Sequence, residues 1–228
     1  DSSVVLHMLK DEIDAAVYVD TGIALPENSE YVQRICDEWE VPLIILKPEI
    51  DFWEHVEKWG FPTIKTLWCR NHLKVRPLIK FFRKIKPPAI TYLGIRLAES
   101  VRRKQFYTSN TVFSSLQGMR IRYDRKTATW QFFPILEWSD NDVLNYIEKH
   151  NLPLKPCYKL YGFPSCFICP FIRKPSFYLR LREQHPELFI KILEVEGKLR
   201  KRGSALLTAD GEKLYMSNIN RQRVLPDV

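Results

Sequence analysis

No apolar run in this 228-residue chain approaches the roughly 20 residues that a membrane-spanning helix needs. No secretory leader is visible either. The expectation is therefore a soluble, cytoplasmic protein without a membrane partner. Internal repeats and low-complexity stretches are missing, which excludes solenoids and disordered tails as the main architecture. No aromatic-studded RNA motif stands out along the sequence. Disulfides are not expected: the five cysteines are an odd number, and an intracellular chain seldom carries such bonds. Residue 1 is Asp rather than Met, and the chain opens inside what reads as a helix, so a segment upstream is expected.

What is present is a pattern of thiols. Cys69 lies in Leu67-Trp68-Cys69-Arg70, and Cys157, Cys166 and Cys169 follow with C-x8-C-x2-C spacing in a segment containing Gly162 and Pro164. One tight pair, a third thiol a short loop upstream and a fourth from a distant segment can close a four-thiolate centre. The alternative is core packing, because cysteine is among the most buried residue types. Spacing alone does not separate zinc from an iron–sulfur cluster, since both accept four thiolates. Cys36 falls in an amphipathic helical run and reads as a packing cysteine.

The net charge is +8, the isoelectric point is near 9.2, and 45% of residues are hydrophobic. A basic chain favours anionic ligands such as nucleotides, nucleic acid or acidic partners, against the plainer reading of a solubilising surface charge. The length suits one α/β domain, or such a domain with a small appendage.

Along the chain, strand and helix patterns alternate. Helical spacing is read at Val4–Leu9, Glu30–Trp39, Asp51–Trp59 and Asn71–Lys84, the last ended by Pro87-Pro88. Compact β-rich runs are read at Ala15–Val19, Val41–Leu46 and Ala89–Ile95. This alternation predicts a parallel sheet wrapped by helices, with ligands beyond the carboxyl ends of the strands. Asp20-Thr21-Gly22 and Gly94-Ile95-Arg96 punctuate two strand ends. Period-two alternation in Met119–Tyr123 and Thr127–Phe133 predicts a β-hairpin turning at Asp124-Arg125-Lys126. Ser139 or Asp140 is expected to cap a helix through His150. Pro175–Arg202 reads as mostly helical with a basic end, and Lys213–Ser217 as a short strand.

Together these segments resemble the PAPS reductase family of the adenine nucleotide alpha hydrolase-like (PP-loop) superfamily. The opening Asp1-Ser2-Ser3-Val4-Val5-Leu6 resembles the second half of an S-G-G-K-D-S phosphate loop. Further matches are Asp20-Thr21-Gly22, Trp68-Cys69 with Leu73-Lys74 and Pro77, and Gly94-Ile95-Arg96 with Glu99-Ser100 and Arg102-Arg103. Phe133-Pro134-Ile135 through Trp138, Asp142-Val143, and Asn151-Leu152-Pro153 before the cysteine segment complete the set. The likeness covers residues 1–172, leaving 173–228 as a basic helical extension. It implies a Rossmann-like parallel sheet, a β-hairpin insertion and a helical C-terminal appendage.

The resemblance implies an adenine nucleotide as ligand. Asp1, Ser2 and Ser3 would face phosphate, although the glycines and lysine of the loop are missing. Asp20, Thr21 and Gly22 would serve the ribose or a metal ion, with a plain turn as the alternative. Gly94, Arg96, Arg102 and Arg103 would clamp anionic oxygens, and Lys74 would serve either the cluster or the anion. The W-C and C-x8-C-x2-C arrangement resembles the [4Fe–4S] branch, with Cys69, Cys157, Cys166 and Cys169 as ligands and zinc as the alternative. An E-C-G-x-H nucleophile motif, used by assimilatory reductases, does not occur. Three readings follow from the likeness. The first is a sulfonucleotide reductase acting on adenylyl sulfate or PAPS with a thiol or electron-donor protein. The second is an ATP-using sulfurtransferase, with Mg²⁺ and a nucleic-acid substrate. The third is a non-catalytic nucleotide-binding partner.

Overall fold

The computed structural model describes residues 1–86, 89–109, 114–116, 119–161, 166–172, 174–207 and 212–221. The Pro87-Pro88 breaker, the middle of the cysteine segment (162–165) and the end of the tail lie outside the described residues. The chain folds as two compact units. The first comprises Asp1–Tyr18, Gln33–Ile44 and Leu78–Leu154, and the second Val19–Val32, Ile45–Pro77 and Lys155–Val228. This division does not follow the sequence boundary at 172: the residues after it share a unit with two earlier segments.

The expected α/β organisation is present. In chain order the first elements are α1 (Ser2–Leu9), β1 (Ala16–Val19), α2 (Pro26–Glu38), β2 (Leu43–Leu46) and α3 (Phe52–Trp59). β1 and β2 form a two-stranded sheet, with Ala16 N–H donating to Pro42 O and Asp20 N–H to Leu46 O. α3 is bounded by local chemistry. Asp51 accepts from Glu54 N–H at 2.9 Å as N-cap, and Gly60 ends the helix at φ +81°.

The predicted helix after Cys69 begins instead as a π-helical turn, Arg70–Val75, and becomes α-helical only in α4 (Arg76–Phe82). β3 (Ala89–Tyr92), α5 (Val101–Ser109), β4 (Ser114–Leu116), β5 (Met119–Asp124) and β6 (Thr129–Phe133) follow. The hairpin is where alternation placed it, but it is not apart from the main sheet. β3 pairs in parallel with β6, and the sheet order is β3-β6-β5-β4, with β5 antiparallel to both β6 and β4. Burial explains the pairing: Phe132 and Phe133 are 6% and 1% exposed, and Leu93 N–H extends the ladder to Phe132 O.

α6 (Asp140–Lys149) starts at a reciprocal cap. Ser139 Oγ accepts from Asp142 N–H, and the Asp142 carboxylate accepts from Ser139 N–H at 2.7 Å. The Ser139 N–H and the Ser139 hydroxyl, both donating to the Asp142 carboxylate, hold its pKa below its ordinary value. The core of the first unit gathers Val4, Val5, Leu9, Ile135, Val143 and Leu152, which seats α1 against α6.

In the second unit the stretch read as a loop contains a short helix, α7 (Pro156–Tyr161). The long basic helix is two, α8 (Pro175–Gln184) and α9 (Pro186–Leu199), broken at His185 because Pro186 cannot continue the ladder. The expected strand at Lys213–Ser217 is only a two-residue strand, paired with Leu206–Leu207 (β7) and followed by α10 (Met216–Asn220). Its own element is β8 (Lys213–Leu214). Met216 and Ile219 join one core with Phe177, Leu181, Ile192 and Val195.

Candidate functional site

All four cysteines of the pattern fall in the second unit, whereas Cys36 is buried in α2 in the first. Cys69 ends the Trp68 segment immediately before the π-helical turn. Trp68 is pinned behind it by stacking on Phe52, with centroids 5.4 Å apart and planes at 26°. Cys157 sits in the first turn of α7, fully buried. Cys166 pairs its backbone with Ala24 in an isolated bridge, and Phe167 N–H donates to Ile23 O at 3.0 Å. The C-x2-C segment is thereby stitched to the residues that follow Asp20-Thr21-Gly22.

The folded chain brings Cys69, Cys166 and Cys169 within electrostatic reach of one another. Burial pushes the Cys69 thiol up, and the neighbouring Cys166 adds to the effect. Burial likewise raises Cys169 to about 11, with smaller upward contributions from Cys166 and Cys69. The Lys74 ammonium works in the opposite sense on both Cys69 and Cys169. Cys157 is held differently: its Sγ donates to Asn28 Oδ1 at 2.9 Å. Burial raises its pKa, against the pull of Lys155.

Lys155 escaped the sequence reading. Desolvation lowers its pKa, with Cys157 and Cys166 opposing and Lys74 reinforcing the shift. Its only sequence signal was a lone lysine two residues before Cys157.

The thiols test the implied cluster by their chemistry. Four soft donors lie in one unit, three of them mutually coupled and with a lysine beside them, which suits a four-thiolate centre. Among the described residues, no group of three or more His, Cys, Asp or Glu is arranged to hold a metal ion. The Cys157–Asn28 hydrogen bond must also break for Cys157 to ligate, since ligation requires a thiolate and a thiolate cannot donate.

Also in the second unit, Asp20 closes a tight turn. Its Oδ1 accepts from Gly22 N–H at 3.0 Å, and Gly22 has φ +70°. Thr21 is 2% exposed and its Oγ1 has no hydrogen-bond partner among the described residues. A buried hydroxyl left unpaired costs free energy.

In the first unit Asp1, Gly94 and Arg96 come together. Arg96 is 6% exposed; its Nε lies 2.8 Å from Asp1 Oδ1 and its Nη1 2.8 Å from Asp140 Oδ1. The guanidinium expected to grip phosphate is thus shared by two carboxylates and the Trp138 carbonyl at 3.4 Å. A Cβ on Gly94 would lie 2.9 Å from backbone atoms of Asp1 and Ser2, so this strand end presses on the start of α1. Ser2 and Ser3 occupy the first turn of α1, Ser2 exposed. Arg103 pairs with Glu99 one helical turn back, and Arg102 is exposed.

An α/β chain with these strand-end turns and this ordered set of motifs belongs to the adenine nucleotide alpha hydrolase-like class. More narrowly, the chain belongs to the phosphoadenosine phosphosulfate reductase domain family, whose model matches residues 1–172. An uncharacterised protein of Methanocaldococcus jannaschii is 30% identical over 203 residues, covering 86% of this chain and 45% of the relative. The phosphoadenosine 5′-phosphosulfate reductase of Photobacterium profundum is 25% identical over 163 residues, 68% of this chain and 58% of that protein. The adenosine 5′-phosphosulfate reductase of Bacillus cytotoxicus is 25% identical over 171 residues, 72% and 66% respectively. The crystal structure of a phosphoadenylyl-sulfate reductase from Candida auris, a phosphate complex, aligns over 72% of this chain and 73% of its own at 18% identity and a TM-score of 0.47. The chain spans less than half the length of its M. jannaschii relatives, 45% of one and 36% of another. No helix among the described residues is long and apolar enough to cross a membrane.

Proposed function

We infer that this chain is the nucleotide-binding portion of a sulfonucleotide reductase-type enzyme, and that Cys69, Cys157, Cys166 and Cys169 hold a [4Fe–4S] cluster. The observation carrying this reading is the convergence of Cys69, from a distant segment, with Cys166 and Cys169 in a chain of this family. When bound, such a cluster supplies a compact charge centre tuned by burial and hydrogen bonding. The chain's own groups prepare for it. Lys74 favours the thiolate forms of Cys69 and Cys169. In the first unit, Arg96 exchanges a carboxylate for an anionic oxygen of the nucleotide.

The ATP-using sulfurtransferase reading drew support from the basic end of α9. In the structure that end is largely engaged within its own unit. Lys198 Nζ lies 2.6 Å from Glu57 Oε1, Arg202 donates to Glu57 O at 2.9 Å, and Arg200 lies over the Tyr215 ring. The reductase reading is therefore preferred. Anaerobically prepared protein, given adenylyl sulfate or PAPS and a dithiol, should release sulfite and contain about four irons per chain. Pyrophosphate release from ATP without sulfite would move the assignment to sulfur transfer. Nucleotide binding with neither product would leave a non-catalytic partner.

A further inference from the structure

The sheet of the first unit carries an apolar row that sequence order hides. Ile90 of β3 is in register with Trp130 of β6, and Trp130 with Tyr123 of β5. Residues directly opposite on paired strands project from the same face. All three are solvent-exposed, at 51%, 40% and 49%. The Tyr123 and Trp130 rings meet edge to face, with centroids 5.3 Å apart. Two register positions further into the sheet, on the same face, Tyr92, Phe132 and Ile121 continue the row, and there Phe132 and Ile121 are buried. Among the described residues, the exposed row is thus the uncovered end of a packed face. The opposite face is covered: Tyr107 of α5 packs on Phe133, and Arg122 lies over the Phe106 and Tyr107 rings.

Cations gather at the same end. The β5–β6 turn lies one residue pair beyond Tyr123 and Trp130 and presents exposed Arg125 and Lys126. Arg83, at the end of α4, donates from Nε to Lys126 O at 3.1 Å, which brings a second basic segment, Arg83-Lys84, against the turn. The neighbouring Asp124 carboxylate is turned inward, accepting from Thr127 and Gln131 side chains at 2.8 and 3.2 Å. Its Oδ1 also accepts from Lys126 N–H at 3.2 Å, so it offsets one charge of a rim that carries Arg83, Lys84, Arg125 and Lys126.

We propose that the Ile90–Trp130–Tyr123 row and its Arg83, Arg125 and Lys126 rim bind single-stranded nucleic acid, bases stacking on the rings and phosphates meeting the cations. The chemistry selects this occupant over an apolar partner. Exposed aromatic faces beside clustered cations, in a chain of net charge +8, match the two halves of an unpaired nucleotide. The row is three side chains wide, enough for a short stretch of bases. The inference stands on the first unit alone and does not depend on the cysteine reading.

The test is fluorescence anisotropy of labelled 12-nucleotide single strands, RNA and DNA in separate arms, with the whole chain. Trp130→Ala and Tyr123→Ala should each weaken binding about 5- to 100-fold, the range expected for loss of base stacking. Arg125→Gln/Lys126→Gln should reduce the salt dependence of binding without changing the preference for bases over polyphosphate. Trp130→Phe should retain most of the affinity, and a circular dichroism melt of each variant separates loss of binding from loss of fold. Equal displacement of the strand by inorganic polyphosphate would overturn the stacking half of the proposal. Strand binding unaffected in well-folded Trp130→Ala would overturn the site. Absence of strand binding, with self-association abolished by Trp130→Ala, would mean the face joins two copies and would overturn the proposal. A stronger response in one arm identifies RNA or DNA as the ligand.

Discussion

The Cys157 thiol donates its hydrogen to Asn28 Oδ1 at 2.9 Å, and neither side chain reaches solvent appreciably. The two residues are 129 positions apart, so this bond is a tertiary lock between α7 and the start of α2. It also makes a demand on metal loading. A thiolate has no hydrogen to give, and the Asn28 amide must then present its N–H₂ instead.

Asn28→Asp places a carboxylate where that reversal has to occur. The expected outcome is much lower iron incorporation on anaerobic reconstitution, whereas Asn28→Ala, which removes only a neutral bond worth about 0.5–1.5 kcal/mol, retains most of it. Full iron content in Asn28→Asp would remove Cys157 from the ligand set. Cys36→Ser, in the other unit, should leave iron content unchanged.

Arg96 joins Asp1 and Asp140 through a nearly buried guanidinium, but Asp140 itself is 77% exposed. Solvent screening therefore reduces what the network contributes. Arg96→Met should cost about 1–3 kcal/mol in urea unfolding. Arg96→Lys should recover little, because one ammonium cannot span both carboxylates and the Trp138 carbonyl. If nucleotide affinity falls in Arg96→Lys with stability unchanged, the residue serves the ligand more than the fold.

Gly94 offers a separable check on the same corner. Any Cβ there meets the Asp1 carbonyl carbon and the Ser2 nitrogen at 2.9 Å, and backbone cannot swing aside as a side chain does. Gly94→Ala should destabilise by about 1–3 kcal/mol and displace the start of α1. Hydrogen exchange should show faster opening of α1 than of α9, which lies in the other unit.

Local patterns specified much of this. The alternation through Tyr123 and Trp130 gave the hairpin, and Ser139 with Asp142 gave the start of α6, because the forces involved act within a few residues. One misreading involves a partner distant in sequence, while those at α7 and at the α8–α9 break had local proline signals. α10 begins where the buried Glu196 carboxylate accepts from Met216 and Ser217 N–H at 2.5 and 3.2 Å, a cap supplied from another helix. α7 was read as loop although Pro156 suits a first helical turn. The thiol pattern was legible as spacing. The Asn28 lock, the influence of Lys155 and the occupation of Arg96 by carboxylates were not, since none has a local signature.

The pH dependence of the first unit should run through His7. Its Nδ1 lies 3.0 Å from the Tyr146 hydroxyl, and its ring packs against Trp39, Tyr146 and His150. Burial lowers its pKa from 6.5, His150 and Lys10 lower it further, and Asp11 opposes weakly. The folded state thus binds a proton less readily than the unfolded chain. Stability from neutral His7 is fully present above the unfolded value of about 6.5 and is lost as pH falls through it toward the lower folded value. Thermal unfolding should show Tm dropping between about pH 7 and pH 5, with His7→Gln flattening that slope. The strain acts where α1 meets α6, so amide exchange in α1 should accelerate over the same interval. A slope unchanged by His7→Gln would assign the acid sensitivity to another group.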